Sequence, residues 1–507
     1  MSELLTHDEY KAIAARLTLP TNAFIDGAYQ KARSGSTMET INPATGKVLA
    51  KVAACGPDDV DFAVEKAQKA FEAGHWSRLH PSERKAVLIK LVKLIKRNRH
   101  ELAVMESLES GKPIAECQLN DIPETISAIS WHAEAADKMY DQMSPANDDG
   151  IGMIVREPLG VVGCVLPWNF PLMMLAWKIG PALATGNSVI VKPAEQTSIT
   201  ALRLADLARE AGVPDGVLNV LPGLGPDVGE PMGRHDGIQA ISFTGSTETG
   251  RRFMQYSAET NMKRIILECG GKNPAVVLSD ADDLDSVARH AVFSALWNMG
   301  QNCTANSRLI VHKDVKSDLM TKIKQQLKNW KTGDPLDPSN QLGAIVSQEQ
   351  FDKVMGYIDG AKKEGATVVA GGKAIKNGDG LFIEPTVFDD VTPDMTFAKE
   401  EAFGPVFGIM NVSSDAEAIE LANDTCYGLQ ASLFTASVKK AMRYSRALQA
   451  GTVSVNSYAE GDISTPFGGY KMSGFGGRDN SLMAHDQYCE VKTIWIDISD
   501  DPIDDAV

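Results

Sequence analysis

Apolar residues recur at spacings of three and four between about residues 60 and 140, as in VEKAQKAFEAG and SERKAVLIKLVKLIKRNRHELAVM, and this period predicts amphipathic helices. Beyond residue 160 the pattern changes to short β-rich runs alternating with helical segments: GVVGCVLP, LMMLAWKIGPALATG, NSVIVKP, SITALRLADLAREAG and VLNVLPG. Such alternation predicts βαβ units on a parallel sheet. A second series repeats the rhythm, with AVVLS (275–279), RLIVH (308–312), ATVVAGG (366–372) and TVSVNS (452–457) separated by helical stretches such as KSDLMTKIKQQLKNW. The expected fold class is therefore α/β. The acidic end DISDDPIDDAV reads as a solvated tail.

Composition narrows the setting. With 507 residues and about 100–200 residues per domain, two or three packed units are expected. No apolar run approaches the roughly 20 residues that span a bilayer, so no membrane crossing is expected. The start MSELLTHDEYKAIAARL lacks the basic and apolar regions of a secretory signal, and a cytoplasmic location is expected. A net charge of -16 disfavours nucleic acid and points to small-molecule partners. Seven scattered cysteines suit a reducing compartment, and nine histidines form no HExxH-like cluster, so no metal is expected.

Several segments carry candidate chemistry. In GQNCTANSR (300–308), Cys303 follows glycine and amides on a loop or helix start, where backbone N–H groups can lower a thiol pKa. Taken alone, such a cysteine is more often a small buried hydrophobe. In LECGGKNP (267–274), Glu268 sits beside apolar residues and flexible backbone, a setting for a general base, though an isolated glutamate is more often solvated or paired. Cys269 is a second thiol with no separate argument.

The stretch LPWNFPLMMLAWKIGPALATGNSVIVKPAEQ (166–196) is more specific. Asn169 lies in a Pro-Trp-Asn-Phe-Pro turn between strand and helix, where a fixed amide can donate to an oxyanion. Lys192 and Glu195 follow a strand, at the end where α/β sheets bind ligands. FTGSTETG (243–250) places glycine, serine and threonine at a helix start suited to a pyrophosphate, although it lacks the full GxGxxG spacing. PGLGPDVG (222–229) also misses that spacing, by one residue.

LPWNFP, FTGSTETG, LECGGKNP and GQNCTANSR, followed by EEAFGP (400–405) and PFGGYKMSG (466–474), together resemble the aldehyde dehydrogenase superfamily over nearly the whole chain. The resemblance implies a Rossmann-type NAD(P)-binding domain over 1–140 and 160–269, an α/β catalytic domain over 270–480, and a small β oligomerisation element made by 141–159 and 481–507. It also implies a homodimer or homotetramer.

The resemblance further implies that Cys303 attacks the aldehyde, that the Asn169 amide and the Cys303 N–H stabilise the oxyanion, and that Glu268 activates the hydrolytic water. Lys178 is then a supporting proton-relay or structural residue. Lys192 and Glu195 are expected at the adenosine ribose, Gly225 near the adenine, Gly245 and Ser246 near the pyrophosphate, and Glu401 at the nicotinamide ribose. Phe403 packs beside that ribose, and Trp168 belongs to the same cofactor set. A glutamate at 195 crowds a 2′-phosphate, so NAD is expected, with NADP as the alternative.

Trp131, Phe170, Trp177 and Phe467 match the family's aromatic substrate tunnel, with ordinary core packing as the competing reading of each. Glu460 and Asp462, just upstream of Phe467, would favour a cationic substrate. The surrounding stretches resemble the γ-glutamyl-γ-aminobutyraldehyde and aminoaldehyde dehydrogenases, from which this sequence departs at Cys269 and in FGGRDNSL. The alternatives are a broad-specificity aliphatic or aromatic aldehyde dehydrogenase, a CoA-acylating or phosphorylating enzyme, and a non-catalytic nucleotide-binding or structural member.

Overall fold

The structure is a computed structural model that describes residues 4–499; residues 1–3 and most of the expected acidic tail, 500–507, lie outside the described residues. The helical period of the first third resolves into helices Pro57–Ala73, Pro81–Arg97, Arg99–Ser110 and Ile122–Ala135. Proline opens Pro57–Ala73, where its missing N–H breaks no helical bond, and Gly74 closes it in the left-handed region at φ 80°. Pro81–Arg97 starts on a reciprocal cap, in which the His80 ring accepts from Ser82 N–H while Glu83 accepts from His80 N–H.

Eight strands form the first sheet. Its five central strands run parallel in the order Leu218–Val220, Ser188–Lys192, Val161–Val165, Ala240–Thr244 and Arg264–Glu268. The last four except Arg264–Glu268 are buried at every position, which is why they read as near-continuous apolar runs. The order of connection reverses between Val161–Val165 and Ala240–Thr244, and the carboxyl ends at such a reversal open a crevice. The sheet is completed by a hairpin, Ala23–Ile25 with Ala28–Gln30, at one edge and by the two-residue strand Gly474–Phe475 at the other. This last strand pairs antiparallel with Leu267 and Glu268.

The second sheet has seven strands, in the order Thr367–Ala370, Thr386–Asp389, Val406–Val412, Arg308–His312, Pro274–Val277, Gln430–Phe434 and Thr452–Val455. The run expected to extend the parallel rhythm at 366–372 instead lies antiparallel at an edge, against Thr386–Asp389. Its first two positions are exposed and its last two half-buried, so a β-rich run marks it as a strand without fixing its direction.

A three-stranded antiparallel sheet joins Gln142–Ser144, Gly150–Pro158 and Cys489–Asp497. Cys489–Asp497 pairs residue for residue with Gly150–Pro158 and forms the edge of this sheet; Val491 is 64% and Trp495 59% exposed on it. Among the described residues no helix is long and apolar enough to cross a membrane.

Candidate active site

The crevice at this reversal holds a cavity of about 190 Å³ lined at once by Asn169, Glu268, Cys303, Gly245, Ser246, Glu401, Phe403 and Trp168. Each reaches it from the end of a regular element. Asn169 lies in the turn after Val161–Val165, ahead of the proline-initiated helix Pro171–Ala184. Glu268 ends its strand, Gly245 and Ser246 follow Ala240–Thr244, and Cys303 sits on the loop before Arg308–His312.

Cys303 is half-buried, enclosed by protein yet facing the cavity. Burial, followed by the carboxylates of Glu460, Glu401 and Glu268, pushes its thiol well above the ordinary range. The loop is pinned from behind: Asn273 Nδ2 donates to the Cys303 carbonyl at 2.7 Å and to that of Ala305 at 3.1 Å. Asn169 is buried, and its Nδ2 donates to the Gln301 carbonyl at 3.0 Å. An amide NH₂ has two hydrogens, so one remains for another acceptor.

Glu268 is buried, and neither carboxylate oxygen has a hydrogen-bond partner. Burial raises its pKa well above normal; Asp479 raises it further, while Lys178 and Arg478 pull it down. Lys178 does not reach the cavity. Its Nζ lies 3.0 Å from Ser242 Oγ and 3.3 Å from Asp479 Oδ2, and it is Asp479 that lines the cavity. Cys269 also lines the cavity, but burial pushes its thiol up to about 12, and its sulfur packs against Gly250 of the helix Thr247–Ala258.

The residues present fit a dinucleotide. The helix Thr247–Ala258 begins at the cavity, capped by Ser246 Oγ accepting from Thr249 N–H, and its first turn presents free N–H groups to an anion. Thr244 Oγ1 is buried without a partner on the same wall. The Glu401 carboxylate is fixed by the Gly271 N–H at 2.8 Å, in a space where a Cβ on Gly270 would meet it at 2.2 Å. Glu195 and Leu224 line a second hollow, of about 460 Å³. Lys192 is buried at its strand end, with Nζ 3.5 Å from Glu195. Gly225 lies outside both spaces, exposed at the start of the turn Gly225–Gly229.

Among the expected substrate contacts, Phe170, Trp177, Phe467 and Glu460 line the cavity. Trp177 and Phe467 meet edge to face at 5.0 Å between centroids. Trp131 and Asp462 do not line it, and the expectation for both needs correction. Trp131 packs edge-on against His132 and His485, at 5.0 and 6.3 Å, so its ring is taken up by the contact with the short helix Met483–Asp486. Asp462 is exposed and accepts from Ser464 N–H at 2.9 Å, closing its own turn.

Glu460 is held differently. Its carboxylate accepts from Thr304 Oγ1, from Tyr458 at 3.3 Å and from Asn302 Nδ2 at 3.5 Å. Thr304 and Tyr458 were not expected from sequence, and neither were the cavity-lining Gln350, Lys353 and Asp479. Only Thr304 carried a local signal, its place beside Cys303.

An α/β scaffold that brings a thiol, an amide with an uncommitted N–H, an unpaired carboxylate and a helix start to one crevice has the make-up of a dinucleotide-linked oxidoreductase. The Aldehyde dehydrogenase family profile matches residues 29–494, and the chain belongs to that family. It is 58% identical to the aminoacetaldehyde dehydrogenase of Pseudomonas aeruginosa, over 98% of this chain and 100% of that one. Among solved structures, the indole-3-acetaldehyde dehydrogenase of P. syringae in complex with NAD+ superposes with TM-score 0.96 at 47% identity, over 97% and 100% of the two chains. The γ-glutamyl-γ-aminobutyraldehyde dehydrogenase of Burkholderia cenocepacia superposes with TM-score 0.96 at 46% identity, over 98% and 100%.

Proposed function

We propose that this chain oxidises an ω-aminoaldehyde to the corresponding carboxylic acid with NAD as hydride acceptor. The observation that carries this reading is the single cavity lined by Cys303, Asn169, Glu268 and Glu460 together. The Cys303 thiolate adds to the aldehyde carbon, the carbonyl π electrons pass to oxygen, and the Asn169 amide and Cys303 N–H stabilise that oxyanion. When bound, the oxidised nicotinamide supplies the two-electron acceptor for the hydride of that carbon, and a positive charge that favours the thiolate. Glu268, deprotonated, takes a proton from water; the water oxygen adds to the thioester carbon and the Cys303 sulfur leaves, releasing the acid.

Lys192, Glu195, Gly245, Ser246, Trp168, Glu401 and Phe403 form the proposed cofactor surface, and Lys178 acts through Asp479. Glu195 supports NAD over NADP by repelling a 2′-phosphate. Residues 1–140 and 160–269 form the proposed cofactor-binding domain, which also contributes Asn169 and Glu268, and 270–480 the catalytic domain of Cys303, which also contributes Glu401 and Phe403. The exposed edge strand Cys489–Asp497, with Gly150–Pro158, forms the oligomerisation element of a homodimer or homotetramer. Seven free cysteines suit a reducing cytoplasm.

Glu460 supports a cationic substrate: it is the half-buried carboxylate nearest in sequence to the aromatic wall, anchored by three neutral donors rather than by a basic side chain. The relative of Pseudomonas aeruginosa named for aminoacetaldehyde supports a short amine. The aromatic wall favours a second reading, uncharged aromatic aldehydes. A screen of NADH formation over aminoaldehydes and uncharged aldehydes of equal length, with NAD+ and NADP+ in parallel and with and without CoA, separates them. A higher kcat/KM for aminoaldehydes, independent of CoA, is expected; preference for uncharged aldehydes would overturn the substrate assignment.

A further inference from the structure

The segment leading to the nucleophile has an uncommon backbone. Asn298 (φ 51°, ψ 41°), Met299 (φ 55°, ψ 29°) and Gly300 (φ 65°) occupy the left-handed region in succession, two of them with side chains. Such a conformation persists only where its surroundings over-determine it. One constraint is steric: a Cβ on Gly300 would lie 2.0 Å from the Gly404 carbonyl oxygen, so the loop is pressed against the segment that carries Glu401 and Phe403. A second is Gln301, whose Oε1 accepts from Val346 N–H at 3.1 Å.

The third constraint is Asn298 itself. Its buried Nδ2 donates to the Asn169 carbonyl at 2.8 Å and to the Gln301 carbonyl at 3.0 Å. The Gln301 carbonyl therefore receives two amide donors, Asn298 and Asn169, one on each lone pair. Asn298 thus ties the turn after Val161–Val165 to the loop of Cys303. Those two pieces lie 129 residues apart at the Asn298–Asn169 contact, and they carry the two proposed oxyanion donors. Because Gln301 accepts from Asn169 Nδ2, the Asn169 amide is also fixed nitrogen-inward at that carbonyl, leaving one N–H uncommitted.

We propose that Asn298 is a positioning residue for the oxyanion site: it holds the Asn169 turn, and with it the Asn169 amide, in place against the loop of Cys303 without itself touching the substrate. The assignment rests on the reading of Asn169 as an oxyanion donor. It accounts for a left-handed residue placed five positions before the nucleophile whose side chain bonds only backbone of these two segments.

The test is a double-mutant cycle on single-turnover NADH formation in the full chain, with Asn169→Ala, Asn298→Ala and both together. Asn298→Asp, isosteric but without the N–H donors, is measured alongside so that misfolding of the alanine variant leaves a second arm. Loss of Asn169 is expected to slow the burst about 10²–10³-fold. Loss of Asn298 should slow it about 10–100-fold, and the double variant should be within about threefold of Asn169→Ala, because Asn298 acts through Asn169.

Alkylation of Cys303 by iodoacetamide, which forms no oxyanion, should change less than about threefold in every variant. Multiplicative losses in the double variant, an unchanged Asn298 variant, or a matching fall in alkylation would each overturn the proposal. An unimpaired Asn169→Ala would instead remove the oxyanion reading, and that outcome is read from its own arm.

Discussion

Lys178 and Asp479 form a fully buried ion pair, Nζ to Oδ2 3.3 Å, of which only the aspartate faces the cavity. Both charges act on Glu268, Asp479 raising its pKa and Lys178 lowering it. Replacing Asp479 by Asn removes the raising charge, so the pH–rate limb for thioester hydrolysis should move to lower pH. Lys178→Met should move it to higher pH. Either change strands a buried charge and should destabilise the chain by about 3–5 kcal/mol in urea unfolding. Limbs that shift the same way in both variants would remove the electrostatic link.

Cys303→Ser should abolish NADH formation in a chain that still folds, and Glu268→Gln should leave the burst while slowing steady turnover by about 10²–10⁴-fold. Since burial pushes both groups up and both act deprotonated, activity should rise with pH through the neutral range rather than fall. A flat profile from acid to alkaline pH, or a Glu268→Gln chain with unchanged turnover, would contradict the assignment.

The two carboxylates near Phe467 should behave differently. Glu460→Gln is expected to lower kcat/KM for aminoaldehydes by about 30-fold or more and to leave uncharged analogues nearly unaffected. Asp462→Asn, in a residue that closes its own turn in solvent, should leave that ratio within about twofold. Equal effects of the two substitutions would mean that the cation is drawn by the general field of the rim.

The strand Cys489–Asp497 offers an exposed edge with Val491 and Trp495 outward. Val491→Asp combined with Trp495→Ser should lower the sedimenting mass to that of a single chain, while secondary structure by circular dichroism is retained. An unchanged mass would place the contact between copies elsewhere.

Much of this was legible in the sequence, for a local reason. Cys303, Glu268, Asn169, Gly245 and Ser246 each lie within a short run whose glycines, prolines and flanking strand fix the backbone, so the run carries its own geometry. Asp479 and the partners of Glu460 do not: Thr304 and Glu460 meet across 156 residues, and Lys178 and Asp479 across 301. The strand Gln430–Phe434 was missed although all five of its positions are buried. Its polar residues hid it. Gln430 and Ser432 are satisfied inside by Asn306 and Ser454, a network no periodicity reveals. Direction at 366–372 was also beyond reach, since the antiparallel partner lies in Thr386–Asp389.

The strand Gly474–Phe475 closes the sheet edge beside Leu267 and Glu268. During synthesis the strand that ends in Glu268 therefore emerges about two hundred residues before its last neighbour. Until then Arg264–Glu268 is an unpaired edge, a template for wrong pairing in a crowded cell. Fragments ending before residue 474 should thus be the species that chaperones bind, whereas in the longer chain Gly474–Phe475 covers that edge.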